Sequence, residues 1–229
     1  MLVEYFIRGG WVMWPILGAS IVALAVVLNR ALYLLRTRGD ALALKRDVLA
    51  LIDAGRTDEA RRRCAESRVP SGAVLEAGLS AWGLAQEEVE RRLEQAAGER
   101  LEEAEANHSL LATMIAVLPM LGFLGTILGL IEAFGVWASA GANVTIEELA
   151  KGIEEAMITT AAGLVTSIPY VVVYNALAAN TVRLARALNA AASDLAGRHR
   201  LRDQKPAEEV HEVDVSDDVP VVISLGGSR

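Results

Sequence analysis

Apolar, uncharged residues are concentrated in three long stretches of the chain, and charged residues occupy the segments between them. The stretches are residues 11–28, 110–131 and 156–179. Each is about as long as the roughly 20 residues that a helix needs to cross a bilayer core. A buried helix of a soluble protein is the alternative for any single stretch. Three such stretches in a chain of 229 residues instead predict three transmembrane helices.

The first stretch is interpreted as a retained membrane helix rather than a cleaved signal peptide. Glu4 weakens the positive segment that precedes a signal peptide, and the apolar run exceeds the roughly 7–15 residues of a signal core. Arg30 and Arg36 follow it where a small-residue cleavage site would be expected.

The distribution of Lys and Arg predicts the orientation of the helices. Residues 132–150 contain no Lys or Arg, and residues 1–10 contain only Arg8. The basic residues that follow the first and third stretches are Arg30, Arg36, Arg38, Lys45 and Arg46, and Arg183 and Arg186. The positive-inside rule then places the N-terminus outside and both large polar segments in the cytoplasm. Aromatic residues agree with this orientation: Trp11, Trp14 and Trp137 fall at the outer interface, and Tyr33 and Tyr174 near the inner one.

The pattern as a whole predicts an all-α membrane protein with three transmembrane helices and long cytoplasmic helical extensions. The expected segments are an outer N-terminus (1–10), the first membrane helix (11–35), a cytoplasmic helical insert (36–108), the second membrane helix (109–135), an outer loop (136–150), the third membrane helix (151–180), a cytoplasmic helical extension (181–202) and an acidic tail (203–229).

Two of these segments carry further expectations. Within the insert, Val89, Leu93, Ala97, Leu101 and Ala104 form one apolar stripe on a long charged helix. Because neither Gly nor Pro separates this helix from the second membrane helix, we expect the two to be continuous. The tail, rich in Asp and Glu and interrupted by prolines, is predicted to be disordered.

Composition narrows the class of protein. Hydrophobic residues make up 53% of the chain and charged residues 22%, with a net charge of −7 and a mean hydropathy of +0.33. The 5% of aromatic residues argues against a β-rich fold, and the acidic balance argues against a nucleic-acid partner. Cys64 is the only cysteine and the three histidines lie far apart, so no disulfide, metal site or cofactor is expected. The chain shows no nucleophile–base set and no phosphate-binding loop, so an enzyme is not expected.

Glycine and proline indicate how the membrane helices pack. Each helix carries one proline, at Pro15, Pro119 and Pro169, which predicts kinks within a bundle. The second helix contains Gly122, Gly125 and Gly129, a spacing that lets helix backbones approach closely. Gly163 and Pro169 of the third helix are the expected counterparts.

Hydroxyl groups from two helices fall at a similar depth. Thr126 lies in the outer half of the second helix, and Thr159 and Thr160 lie in the outer half of the third. A membrane threonine usually donates to a carbonyl of its own helix, so a single one indicates little. Hydroxyl groups at matched depth on two helices are more consistent with a polar path.

Glu155 is the charged residue whose position is hardest to explain by packing. A carboxylate at a membrane edge often marks an ion path. The alternative is an acid at the start of a helix, where the macrodipole stabilises it by roughly 0.3–1 kcal/mol. This alternative is preferred for Glu154 and stands equal to the ion path for Glu155, while Glu132 is expected at the outer interface. A single chain offers too few polar helix faces to enclose a pore, so any pore needs several copies.

At these residues the chain resembles the MotA/TolQ/ExbB proton channel family, and most closely its ExbB and TolQ branch. The resemblance rests on residues 121–129 (LGFLGTILG) and 152–169 (GIEEAMITTAAGLVTSIP), with Tyr174–Asn175 and the opening 9–15 (GGWVMWP). It covers residues 11–38 and about 107–190.

The resemblance implies a fold, partners and site residues. It implies an inner-membrane homopentamer whose second and third helices line a pore around single-helix partner subunits of ExbD or TolR type. Proton flow would then act on a TonB- or TolA-type protein. The family's pore threonines match Thr126 and Thr160, and its third-helix acid matches Glu155. Thr159 is the second choice for the pore, because helical spacing puts it nearer the azimuth of Glu155.

Other functions remain open at this point. A flagellar MotA-like stator is disfavoured because that branch has an additional membrane helix and a longer chain. A membrane scaffold without ion flow, in which the threonines only pack, is the alternative of a different class. The choice between ExbB and TolQ, and between proton and sodium, is left open.

Overall fold

The computed structural model describes residues 2–37, 39–140 and 145–204, and all regular secondary structure in these ranges is helical. In chain order the helices are α1 (Leu2–Arg8), α2 (Met13–Arg36), α3 (Ala41–Asp53), α4 (Thr57–Ala65), α5 (Pro70–Ser80), α6 (Gln86–Glu105), α7 (His108–Ala140) and α8 (Ile146–Gln204). The predicted all-α fold is therefore confirmed. The tail predicted to be disordered lies, beyond its first two residues, outside the described residues.

Three of these helices, α2, α7 and α8, are long and apolar enough to cross a membrane. Many of their apolar side chains are exposed, including Phe123 at 63% and Val165 at 68%, as expected for helices that face lipid or neighbouring subunits. α8 has 59 residues, which corresponds to a length of about 88 Å. Since a bilayer core is only about 30 Å thick, α8 extends well beyond the membrane.

The membrane helices pack as a group in which α2 lies against both α7 and α8. One cluster joins Met13 and Ile16 of α2 to Leu118 of α7. A second joins Ala23 and Val26 of α2 to residues of α7 and α8 further along the bundle.

A separate core lies beyond the membrane helices. Leu188, Ala191 and Leu195 on the second half of α8 pack against helices α3 to α6. The stripe expected on α6 faces this helical domain: Val89, Leu93, Ala97 and Ala104 are buried and Leu101 is half-buried. His199 is fully buried there, with Nδ1 2.7 Å from Gln86 Oε1 and Nε2 2.9 Å from the Trp82 carbonyl oxygen. The insert and the end of α8 therefore lie together at one end of the bundle.

The opposite end holds the N-terminal segment. Arg8 at the end of α1 forms an ion pair with Glu154 near the start of α8. Because α7 ends and α8 begins at this end as well, the chain has one end with short connections and one with the large helical domain.

The expected continuity between α6 and the second membrane helix is wrong. α6 ends at Glu105 and α7 begins at His108, and Asn107 adopts a left-handed conformation with φ of 64°. Arg30 Nη1 donates to the carbonyl oxygen of Glu103 at 2.6 Å, and lies 3.4 Å from that of Ala104. This long-range side chain binds free carbonyls at the end of α6, and Asn107 supplies the left-handed residue that commonly follows a helix, so α6 ends here without a Gly or Pro.

Two further expectations differ from the structure. Pro15 lies in the first turn of α2, where a proline is tolerated without a kink, so only Pro119 and Pro169 are internal to their helices. Of the segment 136–150, expected as a loop, residues 136–140 belong to α7 and residues 146–150 to α8. Thr145 Oγ1 accepts from the Glu148 backbone N–H at 3.2 Å and Glu148 Oε2 accepts from the Thr145 backbone N–H at 3.2 Å, a capping box that starts α8 early.

Candidate functional site

The contact between α7 and α8 is lined by small residues and is close to backbone contact. A Cβ atom added to Gly122 would lie 2.9 Å from the Thr159 carbonyl oxygen, and one on Gly129 would lie 3.0 Å from Ala156 Cβ. On the other helix, a Cβ atom on Gly163 would lie 2.6 Å from the Leu118 carbonyl oxygen. Any side chain at these positions would force the helices apart, since real Cβ contacts are longer.

This close approach brings Thr126 of α7 and Thr160 of α8 together. Their hydroxyl groups are hydrogen-bonded to each other. Thr160 Oγ1 also donates to the Gly122 carbonyl oxygen at 2.9 Å, and Thr126 Oγ1 lies 3.3 Å from the same oxygen. Both threonines are half-buried, so the pair lies at the edge of the helix contact rather than inside it.

Thr159 has a different environment from its neighbour. Its side chain is 1% exposed and its hydroxyl donates to the Ala156 carbonyl oxygen of its own helix at 2.8 Å. A Cβ atom on Gly125 would lie 2.6 Å from Thr159 Cβ, so this threonine fills the space that the glycine leaves. Of the two adjacent threonines, Thr160 contacts Thr126 and Thr159 is enclosed between the helices.

Two acidic residues in the N-terminal part of α8, Glu154 and Glu155, contact the N-terminal segment of the chain. Glu154 pairs with Arg8. Glu155 is half-buried, and its carboxylate lies against Gly10, whose φ of 68° allows the turn between α1 and α2. Among the described residues, Glu155 makes no hydrogen bond to Thr126 or Thr160. The structure thus brings the two threonines together and places Glu155 nearer the N-terminal end of α8 than Thr160.

The macrodipole explanation for Glu154 is wrong. α8 begins at Ile146, so Glu147 and Glu148 occupy its first turn. The stabilisation of an acid by the helix dipole is lost beyond that turn. Glu154 instead pairs with Arg8. The sequence indicates Arg8 only as one of the basic residues that predict topology, because a contact between α1 and α8 leaves no local pattern.

Tyr170 makes a second contact that the sequence does not indicate. Its hydroxyl lies 3.1 Å from Ser20 Oγ and 3.0 Å from the Ser20 carbonyl oxygen. The bond joins α2 to α8 within the membrane region. Pro169, expected in the helix contact, has an exposed ring, and its neighbour Tyr170 makes the interhelical contact instead.

The chemistry available at this site is that of neutral hydroxyls. A threonine hydroxyl can donate one hydrogen bond and accept others but does not ionise, so the pair can solvate a proton carrier without holding the charge itself. Among the described residues, no group of three or more His, Cys, Asp or Glu side chains is arranged to bind a metal ion.

Comparison with known proteins identifies the family. A family model described as the MotA/TolQ/ExbB proton channel family matches residues 66–190, which is more than half of the chain. This chain belongs to that family. The resemblance seen in the sequence is thereby confirmed.

Individual relatives lie in the ExbB and TolQ branch. The biopolymer transport protein ExbB-like 1 of Synechocystis is 34% identical over 181 residues, covering 77% of this chain and 70% of the relative. The biopolymer transport protein ExbB of Salmonella typhimurium is 30% identical over 179 residues, covering 73% of this chain and 71% of the relative. The Tol-Pal system protein TolQ of Haemophilus influenzae is 38% identical over 87 residues, 38% of each chain.

Membership of the family fixes the broad assignment. The chain is an ExbB/TolQ-type member of the proton channel family, an inner-membrane protein that crosses the bilayer several times. Its family consists of channel and transport-complex subunits rather than classical enzymes.

Proposed function

We propose that this protein is the channel subunit of a motor that converts the proton-motive force into mechanical work. Its direct partner is a single-helix subunit of ExbD or TolR type carrying a protonatable Asp. The motion acts on a TonB- or TolA-type protein that serves outer-membrane transport or integrity.

The contact between the hydroxyls of Thr126 and Thr160 carries this proposal. Two hydroxyls from different helices lie half-buried in an otherwise apolar region, where unpaired polar groups are costly. Both hydroxyl protons are used within the pair and on the Gly122 carbonyl oxygen, but each oxygen can still accept a hydrogen bond. Rotation of one hydroxyl away from its present acceptor would offer a donor to a partner Asp or to water while a proton moves. Thr159 is not part of this path, because its hydroxyl is enclosed and bonded to its own helix.

Glu155 has a separate role in the proposal. It lies between the N-terminal turn and the outer half of α8, at the level where protons would enter from outside. Because it makes no hydrogen bond to the threonine pair among the described residues, it is proposed as an entry group rather than as a member of the pair.

The proposed pore requires several copies of the chain. One copy supplies two helices, α7 and α8, and a single hydroxyl pair, which is too little polar surface to enclose a partner helix. The many exposed apolar side chains of these helices are consistent with contacts between subunits and with lipid. A homopentamer is proposed from the family resemblance.

The proposed orientation places the N-terminus and the connection from α7 to α8 in the periplasm. It is supported by the distribution of basic residues, since Lys and Arg are concentrated at the end that carries the large helical domain. The ion pair between Arg8 and Glu154 holds the N-terminal segment at the opposite end. Protons then move from the end with Glu155 toward the helical domain. Each proton that crosses 100 mV supplies about 2.3 kcal/mol.

The test is removal of one hydroxyl without change of shape. In Thr160→Val the methyl groups keep the packing and the hydroxyl is lost. We expect loss of proton flux into liposomes that contain this protein with its single-helix partner, and loss of energy transduction in cells. Thr126→Ala is expected to give the same result, while membrane insertion and assembly are retained.

Thr113→Val is the matched control, because Thr113 is an exposed threonine on α7 that donates to the Ser109 carbonyl oxygen of its own helix at 2.9 Å. It is expected to retain flux. Full activity of both Thr126→Ala and Thr160→Val would contradict the proposal and favour a non-conducting scaffold. Normal flux in Glu155→Ala would remove Glu155 from the path and leave the threonine pair in place.

A further inference from the structure

A cavity of about 410 Å³ lies where the membrane helices meet the helical domain, bounded by α2, the α6–α7 junction and α8. Its charged and polar lining includes Arg30, Tyr33, His108, Asn180, Thr181 and Arg183. None of the described residues that line it carries a carboxylate, although the chain as a whole has a net charge of −7. The cavity is therefore a local basic site on an acidic protein.

Arg30 is buried in this cavity without a counter-ion. Its side chain is 6% exposed, and among the described residues no carboxylate oxygen lies within 4 Å of its guanidinium nitrogens. Glu103, which lies nearby on α6, is paired with Arg100 at 2.9 Å. The carbonyls at the end of α6 offset part of the cost of burying this guanidinium, but among the described residues no anion neutralises its charge.

Two polar atoms at the cavity also lack partners within the described residues. Arg30 Nη1 binds the carbonyls at the end of α6, but Arg30 Nε is buried and unbonded. The hydroxyl of Tyr33 is buried and unbonded as well, and the Arg30 guanidinium carbon lies 5.5 Å from the centre of the Tyr33 ring. Both atoms are hydrogen-bond donors. A ligand that fits must therefore accept hydrogen bonds and carry negative charge.

The depth of the cavity relative to the membrane indicates where such an anionic ligand comes from. Arg30 follows the first apolar stretch by two residues, Arg183 follows the third by four, and His108 precedes the second by two. These residues therefore lie at one edge of the bilayer core, the level of phospholipid phosphates, and this edge is the cytoplasmic one in the orientation proposed above. Basic pockets between membrane helices on this side are suited to anionic lipid headgroups.

We propose that this cavity binds the phosphate of an anionic phospholipid from the cytoplasmic leaflet. Arg30 Nε and the Tyr33 hydroxyl donate to the phosphate oxygens, and Arg183 supplies the second positive charge. Arginine is suited to this role because its planar guanidinium matches the geometry of phosphate. The bound headgroup would join α2 to α8 at the junction with the helical domain.

The experiment measures ligand-dependent stabilisation of the full-length protein in neutral detergent after removal of native lipid. Short-chain phosphatidylglycerol, short-chain phosphatidylcholine and inorganic phosphate are titrated, and the Tm is followed at each concentration. A ligand that binds only the folded state raises the Tm by an amount that grows with the logarithm of its concentration once that concentration exceeds its Kd. We expect phosphatidylglycerol to do so at lower concentration than the other two.

Arg183→Gln and Arg186→Gln form a matched pair of variants. Both arginines are exposed on α8 and each change removes one positive charge, but only Arg183 lines the cavity. Loss of one charge-assisted hydrogen bond predicts an apparent affinity for phosphatidylglycerol about tenfold weaker in Arg183→Gln. Arg186→Gln is expected to bind as the unmodified protein does.

Tyr33→Phe separates binding from folding. Because the Tyr33 hydroxyl has no partner among the described residues, its removal is expected to leave the Tm of the lipid-free protein unchanged and to weaken phosphatidylglycerol binding roughly threefold or more. Equal weakening by Arg183→Gln and Arg186→Gln, or no Tm shift with phosphatidylglycerol, would overturn the proposal. Equal protection by inorganic phosphate would overturn the lipid assignment in favour of a soluble phosphate.

Discussion

Adjacent residues on one helix of this protein serve different purposes because about 100° of rotation separates them. Thr159 faces α7 directly and fills the space beside Gly125, whereas Thr160 lies at the edge of the contact, with its hydroxyl on that of Thr126. As the pore threonine of α8, the family resemblance indicates Thr160, whereas helical spacing from Glu155 favours Thr159. Thr159 packs against Gly125, so its side chain is enclosed between the helices although it lies nearer the azimuth of Glu155.

Gly125→Ala tests how closely α7 and α8 must approach. A new Cβ atom would lie 2.6 Å from Thr159 Cβ, an atom close to the backbone that cannot rotate away. We expect a loss of about 1–3 kcal/mol in the free energy of unfolding, measured by denaturation in detergent. The control is Gly135→Ala on the same helix, where nothing lies within 4 Å of the added atom. A loss of similar size in both variants would contradict the close contact.

At the scale of elements, the membrane helices followed from the sequence and the break between α6 and α7 did not. An uncharged run of sufficient length has few alternatives to a transmembrane helix, so the pattern of residues predicts all three. The break depends on Arg30, which lies about 73 residues away in sequence from the Glu103 carbonyl that it binds. No local signal of Gly or Pro accompanies such a contact.

Asn107 allows a test of this break. Its left-handed conformation costs most L-residues about 1–2 kcal/mol, and Asn and Gly tolerate it best. Asn107→Gly is therefore expected to keep the stability of the protein, and Asn107→Ala to lower the free energy of unfolding by about 1 kcal/mol. Greater stability of the Ala variant would show that α6 and α7 form one continuous helix in solution.

At the candidate site, too, contacts between residues far apart in the sequence could not be predicted from local patterns. A contact between Thr126 and one of the two threonines of α8 could be predicted from the sequence, because Thr126, Thr159 and Thr160 lie at a similar depth and the glycines of α7 indicate a close helix contact. The choice of Thr160 over Thr159 rested on the family resemblance. The surroundings of Glu154 and Glu155 could not be predicted in this way, because they depend on where α1 packs. Neither the pairing of Glu154 with Arg8 nor the approach of Glu155 to Gly10 leaves a local pattern in the sequence.

At the scale of the whole molecule, the two ends differ in their construction. One end has short connections, the ion pair of Arg8 and the two glutamates of α8. The other end has its own hydrophobic core, built from α3 to α6 around the second half of α8. In the proposed mechanism, a force generated near Thr126 and Thr160 can pass directly along α8 into the helical domain, since α8 is a single helix through both regions.

The single native cysteine makes the orientation of these two ends measurable. Cys64 is 1% exposed, and burial, with a smaller contribution from Glu76, raises the pKa of its thiol from 9.0 to about 12. Near pH 8 only about one such thiol in 10⁴ is ionised, and the thiolate is the reactive form. The unmodified protein is therefore expected to resist maleimide labelling while folded, and to lose stability as pH rises from 9 toward 12, where only the unfolded thiol ionises.

Exposed serines at the two ends provide the labelling sites for the proposed orientation. Ser139→Cys lies near the end of α7, and Ser80→Cys lies in the helical domain. In spheroplasts with an intact inner membrane, an impermeant maleimide should label Ser139→Cys but not Ser80→Cys, and permeabilisation should make both reactive. Labelling of Ser80→Cys alone in intact spheroplasts would show that the orientation is opposite to the proposed one. It would also move Glu155 to the cytoplasmic side, so that protons driven inward would meet the threonine pair before reaching this acid.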